Sequence, residues 1–113
     1  MPDEEIEYSA DGLAVRAGER FTGIVEDLFP DGTVQFETEY RLGILDGVSR
    51  TFWPDGTLRH ETWYDYGVKL RERSWYSSGG AQEDTVLDRD GLKHHYRYAE
   101  NGSVEQAHNR DLR

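Results

Sequence analysis

Four histidines, His60, His94, His95 and His108, are the imidazoles from which this 113-residue sequence could build a metal site. Neighbouring residues on a strand face opposite sides, so His94 and His95 cannot readily share one ion. Exposed strand histidines are the simpler reading. Asp88-Arg89-Asp90-Gly91 begins like a calcium loop but has neither the remaining oxygens nor a closing glutamate. Ser77-Ser78-Gly79-Gly80 has no nucleophile-elbow context and no phosphate-loop lysine. Carboxylates are abundant, but Asp31 and Asp55, like Asn101, belong to a turn pattern. Glu37 and Glu61 occupy equivalent places in a repeat, which marks a solvated face rather than a unique acid–base pair. The chain has no cysteine, which excludes disulfides, thiolate metal sites and a cysteine nucleophile. The expectation is therefore no catalytic residue, no metal and no cofactor.

Two groups of side chains are better suited to holding another protein. Trp53, Trp63 and Trp75 are large rings of the kind that dominate interfaces when a thin sheet leaves them partly open. The alternative is that they stack on one another and serve only the fold. The second group is acidic: Glu19, Glu26, Asp27, Asp31, Glu37 and Glu39. The net charge of −10 is unevenly spread, with eleven acids against two bases in residues 1–40. Residues 41–70 carry four of each, and residues 71–113 carry eight acids and seven bases. Such a field repels nucleic acid and anionic lipid and attracts basic proteins.

These residues are set on a repeat. Leu28-Phe29-Pro30-Asp31-Gly32, Phe52-Trp53-Pro54-Asp55-Gly56, Tyr76-Ser77-Ser78-Gly79-Gly80 and Tyr98-Ala99-Glu100-Asn101-Gly102 align with final glycines 24, 24 and 22 residues apart. Tyr8-Ser9-Ala10-Asp11-Gly12 is a weaker first copy. Gly43, Gly67 and Gly91 form a second series, with Gly18 as its shorter N-terminal counterpart. A third, Gly23 and Gly47, is interrupted by Arg71. Pro-Asp-Gly suits a tight turn, because proline presets φ, aspartate bonds nearby amides and glycine accepts positive φ. The second series then marks the turns at the opposite edge.

Between the turns, Val34, Phe36, Thr38 and Tyr40 alternate with Gln35, Glu37 and Glu39, a period of two with β-branched and aromatic enrichment. Phe52, Tyr76 and Tyr98 should form a column with Leu28, and Tyr40 another with Tyr64. Asp88 falls where Tyr40 and Tyr64 stand, and Gln106 where Phe36 stands. With 35% hydrophobic residues, 32% charged and 14 aromatics, the composition favours a thin fold over a thick core. The expected fold is all-β: an elongated, twisted, mostly single-layer antiparallel sheet of tandem hairpins. It is one domain, with 1–17 as a degenerate N-terminal cap, 18–92 as core repeats and 93–113 as a partial repeat that caps the other end.

Gly43-x3-Gly47-x4-Phe52-x2-Asp55-Gly56-x-Leu58-x5-Tyr64-x2-Gly67 resembles the MORN-repeat variant of YwqK-type antitoxin or immunity proteins. The likeness covers roughly residues 18–108 and is strongest in 21–67, with departures at Arg71, at Ser77-Ser78-Gly79 and in the shortened last copy. The resemblance implies a non-catalytic protein-binding role, with a cognate protein toxin as partner. A toxin directed at nucleic acid has a basic active cleft, which the acidic group would occupy as a phosphate mimic. The other expectation is a scaffolding module that associates with itself through open sheet edges. Direct nucleic-acid or membrane binding is not expected at this charge. Met1-Pro2-Asp3-Glu4-Glu5 is acidic where a secretory signal is basic and then apolar, and no apolar run approaches the ~20 residues of a membrane span, so a cytoplasmic location is expected.

Overall fold

A computed structural model describes residues 5–88 and 90–109, and gives no side-chain account of Asp88, His108 and Asn109. Every regular element among them is a strand. The strands are β1 (Ile6–Tyr8), β2 (Ala14–Arg16), β3 (Glu19–Arg20), β4 (Gly23–Leu28), β5 (Val34–Arg41), β6 (Ile44–Phe52), β7 (Leu58–Asp65), β8 (Val68–Trp75), β9 (Ala81–Asp88), β10 (Gly91–Tyr98) and β11 (Val104–Asn109). β4 to β11 form one open antiparallel sheet in sequence order, and β1 to β3 form a small separate meander. The molecule measures 51 × 37 × 18 Å, as one elongated layer should. No large side chain is fully buried, and the only buried apolar side chain among the described residues is that of Ala14. Stability must come from cross-strand pairs and turns, not from a core.

The turns alternate in type, as two glycine series demand. At one edge, each turn closes twice on its first residue: Trp53 N–H donates to Thr57 C=O at 2.8 Å, and Gly56 N–H donates to Trp53 C=O at 2.9 Å. The same pair of bonds recurs at Ser9, Phe29, Tyr76 and Ala99. Asp31 and Asp55 each accept from the amide two residues on, at 3.0 Å, and from the threonine hydroxyl there, at 2.7 Å. Asn101 makes the equivalent bonds to Ser103, at 2.9 and 2.8 Å. At the opposite edge, two-residue turns place Leu42-Gly43 and Tyr66-Gly67 at positive φ, the geometry that matches strand twist.

Those opposite turns also join copy to copy. Gly43 N–H donates to Phe21 C=O at 2.7 Å while Leu42 N–H donates to Thr22 Oγ1 at 2.9 Å. One copy later, Gly67 bonds Leu45 C=O at 2.6 Å and Tyr66 bonds Asp46 Oδ1 at 2.7 Å.

The third copy corrects the sequence alignment by one residue. The residue in the left-handed region is Gly79, at φ 99°, and Gly80 is the bond-accepting residue after it. The turn glycines Gly32, Gly56, Gly79 and Gly102 are thus 24, 23 and 23 apart. The expected column of Leu28, Phe52, Tyr76 and Tyr98 becomes Leu28, Phe52, Trp75 and Tyr98, paired with Val34, Leu58, Ala81 and Val104. Tyr76 instead starts the turn, and its hydroxyl donates to Tyr98 C=O at 2.6 Å. The same slip moves Leu87 into the place expected for Asp88 and Leu70 into that expected for Arg71. It also places Gly91 inside β10, opposite Asp88, rather than in the turn. Tyr40 does not stack with Tyr64; its ring partners are Tyr8 and Phe21, both at 6.4 Å.

Candidate protein-binding surface

Pairing eight strands in register turns the repeat into transverse rows of side chains. One row runs Glu26, Glu37, Arg50, Glu61, Arg73, Asp84, Tyr96 across β4 to β10, all on one face. Acids come from β5, β7 and β9, and the arginines between them from β6 and β8. Arg50 donates through Nε to Glu61 at 2.6 Å and through Nη1 to Glu37 at 3.3 Å. Arg71, one row over, forks onto Asp84 at 3.0 and 3.2 Å, and Arg73 reaches the same carboxylate at 4.0 Å. Glu61 is nearly covered, at 7% exposure, so its two flanking arginine positions matter. The hydrogen bond that Arg50 donates to Glu61 holds its guanidinium above the ordinary pKa, and the bonds that Arg71 donates to Asp84 do the same for Arg71.

The three tryptophans are half-buried. None stacks on another. Arg59 lies over Trp53 at 4.7 Å, Arg71 over Trp63 at 5.7 Å and Arg73 over Trp75 at 5.2 Å. Each arginine therefore neutralises an acid, shields an indole, or does both. Trp53 Nε1 is buried without a hydrogen-bond partner. On the opposite face, two adjoining open grooves of about 550 and 370 Å³ share Trp53, Arg59 and His60.

The six acidic residues are not all brought together. Glu26, Glu37 and Glu39 share one face at the β4–β5 end, and Glu37 is already paired with Arg50. Glu39 is exposed and accepts weakly from Val48 N–H at 3.4 Å. Asp27 points to the other face, opposite Phe36, and accepts from Leu28 N–H at 3.1 Å. Asp31 is used by its turn. Glu19 stands on the small meander opposite Arg16.

Glu26 is the exception in the row. Along the repeat it occupies the position held by Arg50 and Arg73, so the sign of the charge is reversed. It faces Glu37, a like charge, and is exposed with no ion pair among the described residues. The sequence alignment missed this reversal and the two arginines of the row, Arg50 and Arg73. Stepping back from Arg73 by 23 residues and from Arg50 by 24 finds it.

The histidines divide as strand alternation requires. His94 packs against Tyr96 at 4.9 Å on the charged face, whereas His95 Nδ1 bonds Thr85 Oγ1 at 2.8 Å on the other. His60 bonds Glu72 at 2.9 Å. Among the described residues, no group of three or more His, Asp or Glu side chains is arranged to hold a metal ion. Arg89 of the acidic run, and the side chains of Asp88 and His108, lie outside the described residues. No helix of the described chain is long and apolar enough to cross a membrane.

The fold and surface define an open hairpin-repeat sheet. No family model matches the chain, and no curated protein matches it. Among solved structures, a chain of the GtfA/B complex bound to UDP and GlcNAc aligns with a TM-score of 0.41 and 13% identity. The alignment covers 94% of this chain and 27% of that one. A likeness of that size says nothing about what this chain binds.

Proposed function

We propose that the protein is a non-catalytic, cytoplasmic binding protein that neutralises a cognate toxin by direct contact. Its resemblance to the MORN-repeat variant of YwqK-type immunity proteins suggests the class. The observation that carries the reading is the uneven use of charge. Arginines answer the acids across β6 to β9, while among the described residues Glu26 and Glu39 remain exposed without an ion pair at the β4–β5 end. An unanswered acidic end on a chain of net charge −10 suits a basic partner, such as a toxin whose cleft binds nucleic acid. The test is co-expression with a toxin-like frame encoded beside this gene, followed by binding measured against salt. Rescue of growth, with affinity that falls as salt rises and on Glu26→Gln/Glu39→Gln, is the expected result. No rescue, or binding indifferent to salt and to both substitutions, refutes the reading.

A further inference from the structure

Among the described residues, the outer side of β4 lacks the strand that every later copy has. β6 lies between β5 and β7, and β8 lies between β7 and β9. β3 and β4 together correspond to such a strand, but their neighbour β2 has three residues, and on the β3 side it reaches only Glu19, Arg20 and the Phe21 amide. From Gly23 to Leu28, therefore, β4 has β5 on one side and, among the described residues, no strand on the other. A cleft of about 630 Å³ occupies the missing place, with Ile6, Phe21, Val25 and Phe36 among its walls and Glu5 and Glu26 among its acids. Arg16 also lines it, with its guanidinium 5.8 Å from the Phe21 ring. Ile24 and Leu28, on the same face as Glu26, are 58% and 50% exposed.

We infer that β4 is an acceptor edge for an extended strand of a partner protein, one that presents a basic side chain between two apolar ones. Backbone pairing to an open edge supplies affinity, and alternate side chains supply specificity. The side chain set opposite Glu26 would continue the row that Arg50 and Arg73 build farther in, so a cation there completes the pattern. Ile24 and Leu28 receive the flanking apolar groups. The β4 edge of a second copy is the wrong occupant, because β4 against β4 brings acids together at the edge. The inference takes from the proposed function only that the partner is a protein.

The test uses the full chain and two capped peptides, Thr-Val-Thr-Arg-Thr-Val-Thr and its twin with Glu in place of Arg. Binding is followed by fluorescence anisotropy and by hydrogen exchange of the β4 amides. The Arg peptide should bind about tenfold more tightly than its twin, because attraction replaces repulsion at one cross-strand pair. It should also slow exchange within Gly23–Leu28. Glu26→Arg should reverse the preference; facing Glu37, it gives this strand the pairing of its neighbours and keeps the sheet folded. Glu105→Arg, on the opposite edge strand, should leave the preference unchanged. Equal binding of both peptides, protection at β11 instead of β4, or no peptide binding with dimerisation in sedimentation each overturns the inference. Failure of the wild-type chain to rescue any toxin, with the peptide preference intact, removes the toxin and leaves the strand-acceptor edge.

Discussion

The middle of the sheet and its N-terminal end are built from the same repeat but use charge in opposite ways. Across β6 to β9, arginines and carboxylates alternate in sign and the tryptophans lie beneath guanidinium groups. At β4 the arginine position is Glu26, the facing residue is Glu37 and the strand has no outer neighbour among the described residues. Opposite charges across strands stabilise a sheet by about 0.2–1 kcal/mol each, and like charges oppose it by similar amounts. The middle therefore contributes to holding the array together, while the end gives up stability and keeps its charge available. A repeat protein has few places to put a site without disturbing its neighbours, and an end copy is one of them.

The sharpest way to break the contrast is at the joint between the two regions. Gly43 has φ 82°, and a Cβ there would lie 2.9 Å from the Ala14 carbonyl oxygen and 3.3 Å from Leu13 Cβ. Gly56 has φ 91° with nothing within 4 Å of the same atom. Gly56→Ala should cost about 1 kcal/mol, the price of a left-handed alanine. Gly43→Ala should cost about 3 kcal/mol, because it must also push the N-terminal meander off the array. Urea unfolding midpoints of the two variants give the difference. Equal losses would mean that the meander contributes nothing to the stability of the sheet.

A smaller effect separates the two kinds of acid. Glu61→Gln removes the charge from a nearly covered carboxylate that accepts from Arg50 at 2.6 Å, and should destabilise the fold by about 1–2 kcal/mol. Glu26→Gln removes an exposed charge that faces another acid, and should leave stability unchanged or raise it by about 0.5 kcal/mol. Chemical denaturation at low and high salt measures both. Comparable losses from the two substitutions would erase the distinction between a paired middle and an unpaired end.

How far the sequence revealed this depended on which physical constraint was local. The alternation in Val34–Tyr40 and the Asp-Gly turns are local signals, and they were enough for strand identity, order and hairpin pairing. The third copy was misaligned because two adjacent glycines, Gly79 and Gly80, both satisfied the pattern, and only backbone geometry distinguishes the one at positive φ. That slip concealed the column containing Trp75 and the succession Glu26, Arg50, Arg73. The missing partner of β4 was less visible still. It follows from how short β2 is, and strand length is set by where pairing stops rather than by any one residue. The acidic group was legible as composition, but its division between faces and turns was not.

The weakest expected effect compares the edge turns. Asp31 and Asp55 both titrate below the ordinary carboxylate value of 3.8, chiefly through the Thr33 amide for the first and the Thr57 hydroxyl for the second. Asp11 is lowered as well, first by its bond from the Ser9 hydroxyl. A folded pKa below the unfolded one means that the stabilisation is fully present above the unfolded value. It is lost as pH falls through the folded one, so these turns should loosen below about pH 4. Asn101 makes the same bonds with no proton to gain. Amide chemical shifts followed from pH 6 to pH 2 should therefore move at Thr33 and Thr57, with midpoints below 3.8, while Ser103 shows no local titration of its own. Replacing Asn101 with Asp should transfer the same acid response to Ser103. If Ser103 in the unaltered protein moved together with Thr33 and Thr57, the acid transition would belong to the whole sheet and not to the individual turns.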